Sequence, residues 1–220
     1  MKDLKIIGHR GARGLAPENT ITGLLKALEY KVDMIEFDVR VSKDGVAVLH
    51  HNRTLQDASG NKLGIEQHTY GELKEHKTDL TTLDDALKTI SGKTLLYIEV
   101  KRNVPIKPIV QTLKNYKHKF FLASKSQKTL LELHHALPNV PKIVTEPWSG
   151  IRAIYRAEQL GTKTLSMNQL FLWSGFIATM KHRGYELYTY TLNDPQKAKR
   201  WAKYGLSGLV TDFPDRFTKL

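Results

Sequence analysis

Short β-rich apolar runs alternate with segments of helical periodicity along the whole chain, and this alternation restricts the fold more than any other feature of the sequence. Strands that are separated by helices form parallel sheets, because each helix carries the chain back along the outside of the sheet. The strand-like runs number nine, at residues 4–8, 33–41, 46–50, 94–100, 119–123, 142–145, 164–167, 186–191 and 208–211.

Segments with apolar residues at helical spacing lie between most of these runs. Asn19 is predicted to cap the first helix, and Asp194-Pro195 is a start signal for the last one. The predicted helices are residues 19–30, 83–90, 105–115, 125–137, 150–160, 174–183 and 195–204.

One connection is too short to join parallel strands. Residues 42–45 link two strand-like runs, whereas a crossover between parallel strands takes about a dozen residues or more. The sequence therefore predicts a β-hairpin, with Asp44-Gly45 as a tight turn. A turn centred on these two residues pairs Asp38 with His51.

Removal of one hairpin strand leaves eight strands that can run parallel. This number predicts an α/β fold of the (β/α)8 TIM barrel type with one added β-hairpin. No linker divides the chain, so residues 1–220 are predicted to form a single barrel domain. The polar stretch at about 52–80 lacks clear periodicity, and we interpret it as a small insertion after the hairpin.

Composition limits the chemistry and the partners. The absence of cysteine excludes disulfides, thiolate metal sites and a cysteine nucleophile. The N-terminus lacks the apolar core of a signal peptide, which predicts a cytoplasmic protein. A net charge of +12 favours anionic ligands and a weak attraction to anionic membrane surfaces or lipids. The basic residues are scattered, which argues against a specific nucleic-acid tract; the oligomeric state stays open.

Histidines and an arginine lie where predicted strands end, and this end of a (β/α)8 barrel carries the active site. His9 and Arg10 follow the first strand, and His51 follows the return strand of the hairpin. Two histidines can exchange protons with a nucleophile and a leaving group, while an arginine fork matches phosphate oxygens. His50 is interpreted as structural, because alternation turns it away from His51.

Carboxylates occur inside strands that are otherwise apolar. Residues two apart on a strand point to the same face, so Glu36 and Asp38 share a face of their strand, and so do Glu99 and Lys101 on theirs. Carboxylates that converge in a barrel mouth repel each other unless a cation lies between them. Their oxygens suit a hard divalent ion such as Mg²⁺, Mn²⁺ or Ca²⁺. Together with the histidines, this set predicts metal-dependent phosphodiester chemistry.

These residues stand within a longer series of motifs that resembles the glycerophosphodiester phosphodiesterase family. The resemblance extends over nearly the whole chain. The motifs are His9-Arg10-Gly11, Ala16-Pro17-Glu18-Asn19-Thr20, Glu36-Phe37-Asp38, Ser42-Lys43-Asp44-Gly45, His51, Ile98-Glu99-Val100-Lys101, Thr191-Leu192-Asn193 and Thr211-Asp212-Phe213-Pro214.

The resemblance implies a (β/α)8 barrel that converts glycerophosphodiesters to glycerol 3-phosphate and an alcohol. It also implies a role for each matching residue. His9 and His51 correspond to the acid–base pair; Arg10 and Lys101 to the phosphate-binding cations; and Glu36, Asp38 and Glu99 to the ligands of one divalent metal, Mg²⁺ or Ca²⁺. By similarity, the substrate's own 2-hydroxyl attacks first and water then opens a cyclic phosphate.

The chain departs from the family pattern near several of these motifs. Asn52 follows His51 where the family usually has an aspartate, and Tyr190 stands where a tryptophan is often found, still as an aromatic wall for the substrate. Asn52 therefore leaves a non-catalytic, phosphate-binding barrel as one alternative. The basic composition and the small insertion leave another, a lysophospholipase D-type or glycerol-phosphate polymer hydrolase.

Overall fold

The computed structural model describes residues 4–56 and 59–217, and its strands form a closed parallel barrel. Strands β1, β2, β6, β7, β8, β9, β10 and β11 follow one another around the sheet, and β1 pairs with both β2 and β11. The strands are β1 Lys5–Gly8, β2 Met34–Val41, β3 Ala47–Leu49, β4 Thr54–Gln56, β5 Lys62–Gly64, β6 Leu95–Val100, β7 Phe120–Ser124, β8 Lys142–Glu146, β9 Thr164–Asn168, β10 Glu186–Tyr190 and β11 Gly208–Thr211. The predicted (β/α)8 barrel is confirmed.

Helices cover the outside of the barrel, at positions close to those predicted. Several begin at a side-chain cap that accepts a hydrogen bond from a free backbone N–H, such as Thr82, Ser126, Ser149 and Asp194. The helices are α1 Ile21–Glu29, α2 Tyr70–His76, α3 Leu83–Ile90, α4 Ile106–Lys114, α5 Gln127–Ala136, α6 Gly150–Gln159, α7 Ser174–His182 and α8 Pro195–Ala202.

The cap of α1 differs from the prediction. The side chain of Thr20, and not that of Asn19, accepts a hydrogen bond from the Gly23 N–H. Asn19 takes a left-handed backbone conformation, with φ of +57°, and its side chain turns inward to Asp38. A residue that the sequence assigned to a helix end thus belongs to the barrel mouth.

Strand β3 returns antiparallel to β2, as the hairpin prediction requires, but the predicted register is wrong by one residue. Val39 pairs with Leu49, and the His50 N–H donates to the Asp38 carbonyl at 3.0 Å. Asp38 therefore lies opposite His50 rather than His51.

The turn explains this shift. The Ser42 N–H donates to the Val46 carbonyl, so residues 43–45 form a three-residue loop instead of a two-residue turn. Gly45 closes the loop at φ of +84°, a conformation that costs glycine little. Since β3 ends at Leu49, strand alternation does not govern the direction of the His51 side chain.

The stretch predicted as an insertion contains local structure that its periodicity did not reveal. It holds the β4–β5 hairpin, a 3-10 turn at Ile65–Gln67 and helix α2. A small apolar cluster fixes these elements against the barrel, formed by Val48, Leu55, Ile65, Leu73 and Leu80. The predicted domain and insertion also include residues 1–3, 57–58 and 218–220, which lie outside the described residues.

Apolar side chains fill the barrel interior near the amino ends of the strands (the lower layer), and ionisable side chains occupy the interior near their carboxyl ends. Met34 and Tyr97 pack into the lower layer, and Glu36 and Glu99 follow them two residues further along the same strands. This arrangement places the charged groups at the carboxyl ends of the strands. Among residues 4–56 and 59–217, no helix is long and apolar enough to span a bilayer.

Candidate active site

A cavity of about 200 Å³ opens at the carboxyl ends of the barrel strands. All eight residues predicted for the site line it, although they come from distant parts of the sequence. They are His9, Arg10, Glu36, Asp38, His51, Glu99, Lys101 and Tyr190. The wrong hairpin register therefore did not displace His51 from the site.

Three buried carboxylates form the floor of this cavity. Asp38 and Glu99 lie side by side on the paired strands β2 and β6, and Glu36 precedes Asp38 by two residues on the same face. One oxygen from each of the three lies within 4.8 Å of the others. Three converging hard oxygens suit a divalent cation, so the donor set fits a single Mg²⁺ or Ca²⁺.

Lys101 compensates part of this negative charge. Its ammonium lies 2.6 Å from Asp38 Oδ1 and 2.7 Å from Glu99 Oε1. Burial alone raises a carboxyl pKa, yet Lys101 and Arg10 hold the pKa of Asp38 below its ordinary value. Lys101 and Lys125 likewise lower the pKa of the buried Glu99.

Glu36 is in a different electrostatic state. Burial, and then the charge of Asp38, raise its pKa to about 7. Its Oε2 accepts a hydrogen bond from the Arg10 N–H at 2.9 Å. A carboxyl group with this pKa is half protonated near neutral pH, and a cation bound beside it would favour the ionised form.

Arg10 has an unfavourable backbone conformation, and its side chain is held by ion pairs. Its backbone is left-handed, with φ of +50°, which is costly for a residue with a side chain. Its guanidinium lies 2.8 Å from Glu18 Oε1 and 3.1 Å from Asp38 Oδ2. This conformation directs the backbone N–H to Glu36 and the side chain to the cavity.

Asn19 binds both the side chain and the backbone N–H of Asp38. Asn19 Nδ2 donates to Asp38 Oδ2 at 3.0 Å, and Asn19 Oδ1 accepts from the Asp38 N–H at 3.1 Å. The carboxylate thereby has one orientation before any ligand arrives.

The two histidines have different partners at Nδ1. His9 Nδ1 lies 2.6 Å from Asp212 Oδ1, whereas His51 Nδ1 lies 2.8 Å from the amide oxygen of Asn52. Burial raises the pKa of Asp212, but hydrogen bonds from His9 and Asn193 outweigh this effect and lower it to about 2. An ionised carboxylate stabilises an imidazolium more than an amide does.

Burial lowers the pKa of His51, and the positive charges of Lys101 and Arg10 lower it further, against the attraction of Asp38. The Asn52 oxygen accepts the Nδ1 proton, so a neutral His51 carries its lone pair on Nε2. This is the state of a proton acceptor.

Arg40 holds the backbone at His51. Its Nε and Nη2 donate to the His51 carbonyl at 3.1 and 3.0 Å, and the side chain is buried. Arg40 is itself paired with Glu66 in the insertion, at 3.6 Å. The guanidinium thereby fixes the backbone at His51, two residues beyond the end of strand β3, where no ladder hydrogen bond among the described residues holds it.

Replacement of Arg40 by Gln is therefore expected to lower kcat by about tenfold while leaving metal affinity within about twofold of wild type, because it frees the backbone that carries His51. Steady-state kinetics and metal titration measure the two quantities. Glu66→Gln is the matched control, since it removes the outer ion pair and keeps the hydrogen bonds from Arg40 to the His51 carbonyl; an equal loss in both variants would contradict the positioning role of Arg40.

The opposite wall of the cavity is aromatic and cationic. Tyr190 Oη is buried and has no hydrogen-bond partner within the described residues, and the Lys125 ammonium lies 5.3 Å from the centre of its ring. Burial raises the pKa of Tyr190, so the phenol stays protonated and able to donate.

Several residues of the site were not predicted as functional from the sequence. Asn19 and Asp212 belong to motifs of the family resemblance, but the sequence assigned them no role in the site. Asp212 directly follows strand β11, and its position at a strand end is the same signal that identified the other polar residues of the site. Arg40 stands two residues after Asp38, so alternation places it on the same face, but nothing in the sequence indicates that its partner is the His51 carbonyl.

A (β/α)8 barrel that collects carboxylates, histidines and cations at the ends of its strands has the groups that hydrolysis of a phosphoric diester needs. A sequence model of the glycerophosphoryl diester phosphodiesterase family matches residues 9–136 and 128–216 of the chain. The chain therefore belongs to this family.

Individual relatives agree over nearly full length. A glycerophosphodiester phosphodiesterase of Caldanaerobacter subterraneus subsp. tengcongensis is 25% identical and matches 100% of this chain and 98% of its own. Lysophospholipase D GDPD1 of Homo sapiens is 25% identical, with 96% and 84% covered. The barrel also superimposes on an Oleispira antarctica phosphodiesterase that was solved with the product sn-glycerol-3-phosphate, at a TM-score of 0.88 and 23% identity, covering 98% and 95% of the two chains. That structural likeness supports the fold.

Proposed function

We propose that the chain hydrolyses glycerophosphodiesters to glycerol 3-phosphate and an alcohol, with one divalent metal held by Glu36, Asp38 and Glu99. The observation that carries this proposal is the presence in one cavity of the carboxylate cluster and of two histidines with different Nδ1 partners. The Oleispira phosphodiesterase was solved with sn-glycerol-3-phosphate, which is the phosphate product proposed for this chain.

The metal, Mg²⁺ or Ca²⁺, supplies Lewis-acid stabilisation of charge on the phosphoryl oxygens. Arg10 and Lys101 provide further positive charge at the same place, and Lys101 already lies between Asp38 and Glu99. Tyr190 faces them across the cavity with a free hydroxyl donor that suits a substrate oxygen.

Proton transfer is assigned to the histidines by their partners. His51 Nε2 accepts the proton of the substrate's own 2-hydroxyl as that oxygen bonds to phosphorus. His9, whose Nδ1 is paired with the Asp212 carboxylate, gives the Nε2 proton to the alcohol oxygen as the bond from that oxygen to phosphorus breaks. One proton is taken and one is returned, which leaves a cyclic phosphate, a protonated His51 and a neutral His9. Water then bonds to phosphorus as the bond to the 2-oxygen breaks. His9 takes the proton of the water and His51 returns its proton to the 2-oxygen, so glycerol 3-phosphate forms and both histidines regain their starting states.

This assignment predicts the effect of Asn52→Asp on the pH profile. A carboxylate at His51 Nδ1 favours the imidazolium and raises the pKa of the base, so the acidic limb of kcat/KM is expected to move to higher pH. Asp212→Asn is the counterpart, because it removes the charge beside His9 and should move the alkaline limb to lower pH. Movement of the opposite limb in both variants would exchange the two roles.

Glu36 predicts a pH-dependent metal affinity. Because its pKa is about 7 in the metal-free protein, a proton competes with the metal below that pH. Competition by a single proton weakens apparent affinity by about tenfold between pH 8 and pH 6. Isothermal titration at several pH values measures this, and the same series on Glu36→Gln should lose the dependence. A constant affinity in the wild-type protein would contradict the role of Glu36.

The reaction itself is tested by incubating the protein with glycerophosphocholine and either metal and following phosphorus by NMR. The proposal predicts glycerol 3-phosphate and free choline, through cleavage of the P–O bond to choline. Phosphocholine would mean cleavage on the other side of phosphorus. Metal and phosphate binding with no product from glycerophosphocholine, lysophospholipid or glycerol-phosphate polymer would instead support a non-catalytic barrel.

A further inference from the structure

An apolar surface with several aromatic rings lies beside the cavity and takes no part in the chemistry proposed above. Its side chains are among the most exposed large hydrophobic groups of the described residues, and Ile151 and Leu170 are 83% and 78% exposed. We call this surface the aromatic rim; it consists of Trp148, Ile151, Tyr155, Leu170, Phe171 and Trp173.

The aromatic rim lies at the active-site end of the barrel. Trp148 follows strand β8 and Leu170 follows strand β9, so both connections leave the carboxyl ends of adjacent strands. The rings of Trp148 and Phe171 meet edge to face at 5.5 Å and join the two connections. Gln169, next to Leu170, donates to the carbonyl of Thr191, which lines the cavity.

The backbone beneath the rim is fixed. Glu146 is fully buried at the end of β8, and its oxygens accept from Arg152 at 2.7 and 2.6 Å and from the Trp148 N–H at 3.0 Å. These bonds order the connection to α6 without covering the indole ring. A large apolar group that is exposed on an ordered backbone can bind with little additional loss of conformational entropy.

Charge identifies what can cover this surface. Residues 147–155 and 169–176 contain no Asp or Glu, and their single Arg, Arg152, is paired with the buried Glu146, so the rim itself carries no repelling negative charge in a chain of net charge +12. A second copy of the chain would bring the same net charge of +12, which opposes self-association. An anionic lipid surface offers the opposite charge together with hydrocarbon, and Trp and Tyr favour the boundary between lipid and water.

We infer that the aromatic rim docks on an anionic lipid–water interface and inserts its apolar side chains at the level of the headgroups. Because the rim adjoins the cavity, docking presents the phosphodiester of a membrane-borne lysophospholipid to the metal-binding carboxylates. This second step rests on the proposed function, whereas the binding step is independent of catalysis.

The binding step is tested by sedimentation with phosphatidylcholine vesicles prepared with and without phosphatidylglycerol. The wild-type protein is expected to sediment with the anionic vesicles, and Leu170→Ser and Trp173→Ser should each weaken partitioning by about tenfold or more, from the loss of one buried apolar side chain. Leu25→Ser and Tyr204→Ser are matched controls, because these exposed side chains lie outside the rim, on α1 and after α8.

Three outcomes would overturn the inference. These are absence of binding to anionic vesicles, equal binding by rim variants and wild type, and an equal loss in the Leu25 and Tyr204 controls. A concentration-dependent dimer that the rim substitutions abolish would assign the surface to self-association instead. Melting temperatures of the variants equal to wild type establish that a loss of binding is not a loss of fold.

Catalysis provides the second readout. Rim variants are expected to lose turnover of lysophosphatidylcholine in anionic vesicles by about the factor by which binding falls, and to keep wild-type turnover of dissolved glycerophosphocholine. Binding without turnover of either substrate would refute the proposed function and leave the docking surface intact. Equal turnover of vesicle-borne substrate by wild type and rim variants would refute substrate delivery.

Discussion

Glu36→Gln is expected to abolish measurable hydrolysis while raising the melting temperature of the metal-free protein above pH 7. The carboxylate is buried beside two others, and its pKa of about 7 shows that the folded protein disfavours its charge. A folded-state pKa above the unfolded value means that stability falls as pH rises from about 4.5 to about 7. Gln removes that cost and can still accept a hydrogen bond from the Arg10 N–H, but it provides no negatively charged ligand for the metal.

Activity, metal titration and thermal melting at pH 8 with EDTA measure the three effects. We expect metal affinity to fall by at least about 100-fold, beyond the loss typical for residues that only support a ligand. Glu29→Gln is the matched control, as the same change on the exposed surface of α1. A Glu36→Gln protein that melts at a lower temperature than wild type in EDTA would show that the carboxylate stabilises the fold and would refute its electrostatic role.

His9→Gln is expected to lower kcat by about 10²–10⁴-fold, the range in which a positioned acid or base contributes to catalysis. The reason is the loss of the proton donor to the leaving alcohol, with the carboxylate cluster untouched. Metal affinity should stay within about threefold of wild type, since His9 contributes no ligand atom to the cluster.

The nature of the leaving group provides a sharper version of this test. A nitrophenolate leaves without protonation, so a nitrophenyl phosphodiester should be hydrolysed by His9→Gln much faster, relative to wild type, than glycerophosphocholine. His51→Gln is the matched control, because loss of the base should slow both substrates equally. Equal losses on both substrates in His9→Gln would contradict its role as the acid.

The barrel and the central residues of the site could be predicted from the sequence for one physical reason. Parallel strands all end at the same rim, so polar residues at strand ends converge whatever their distance in sequence. Asp38 and Glu99 lie at the same level on the neighbouring strands β2 and β6, and the alternation of side chains along β2 places Glu36 on the face of Asp38. The series of motifs then added the family.

Other features depend on details that a pattern does not record. The hairpin register followed from a three-residue loop with Gly45 in the left-handed conformation, and the same letters also fit a two-residue turn. Asn19 reads as a helix cap because its neighbour Thr20 is the cap and both are good cap residues. The contact of Arg40 with the His51 carbonyl spans the end of a strand, where no periodicity applies.

A metal titration of hydrolysis is the decisive test of a catalytic metal held by Glu36, Asp38 and Glu99. Protein that has been stripped with EDTA is assayed on glycerophosphocholine while Mg²⁺ or Ca²⁺ is returned, and binding is followed calorimetrically under the same conditions. Metal-dependent hydrolysis predicts no turnover in the stripped protein, and a rate that rises with the binding of one equivalent of metal, with the same midpoint in both measurements. Full turnover by the stripped protein, or binding of one equivalent without any gain in rate, would contradict it.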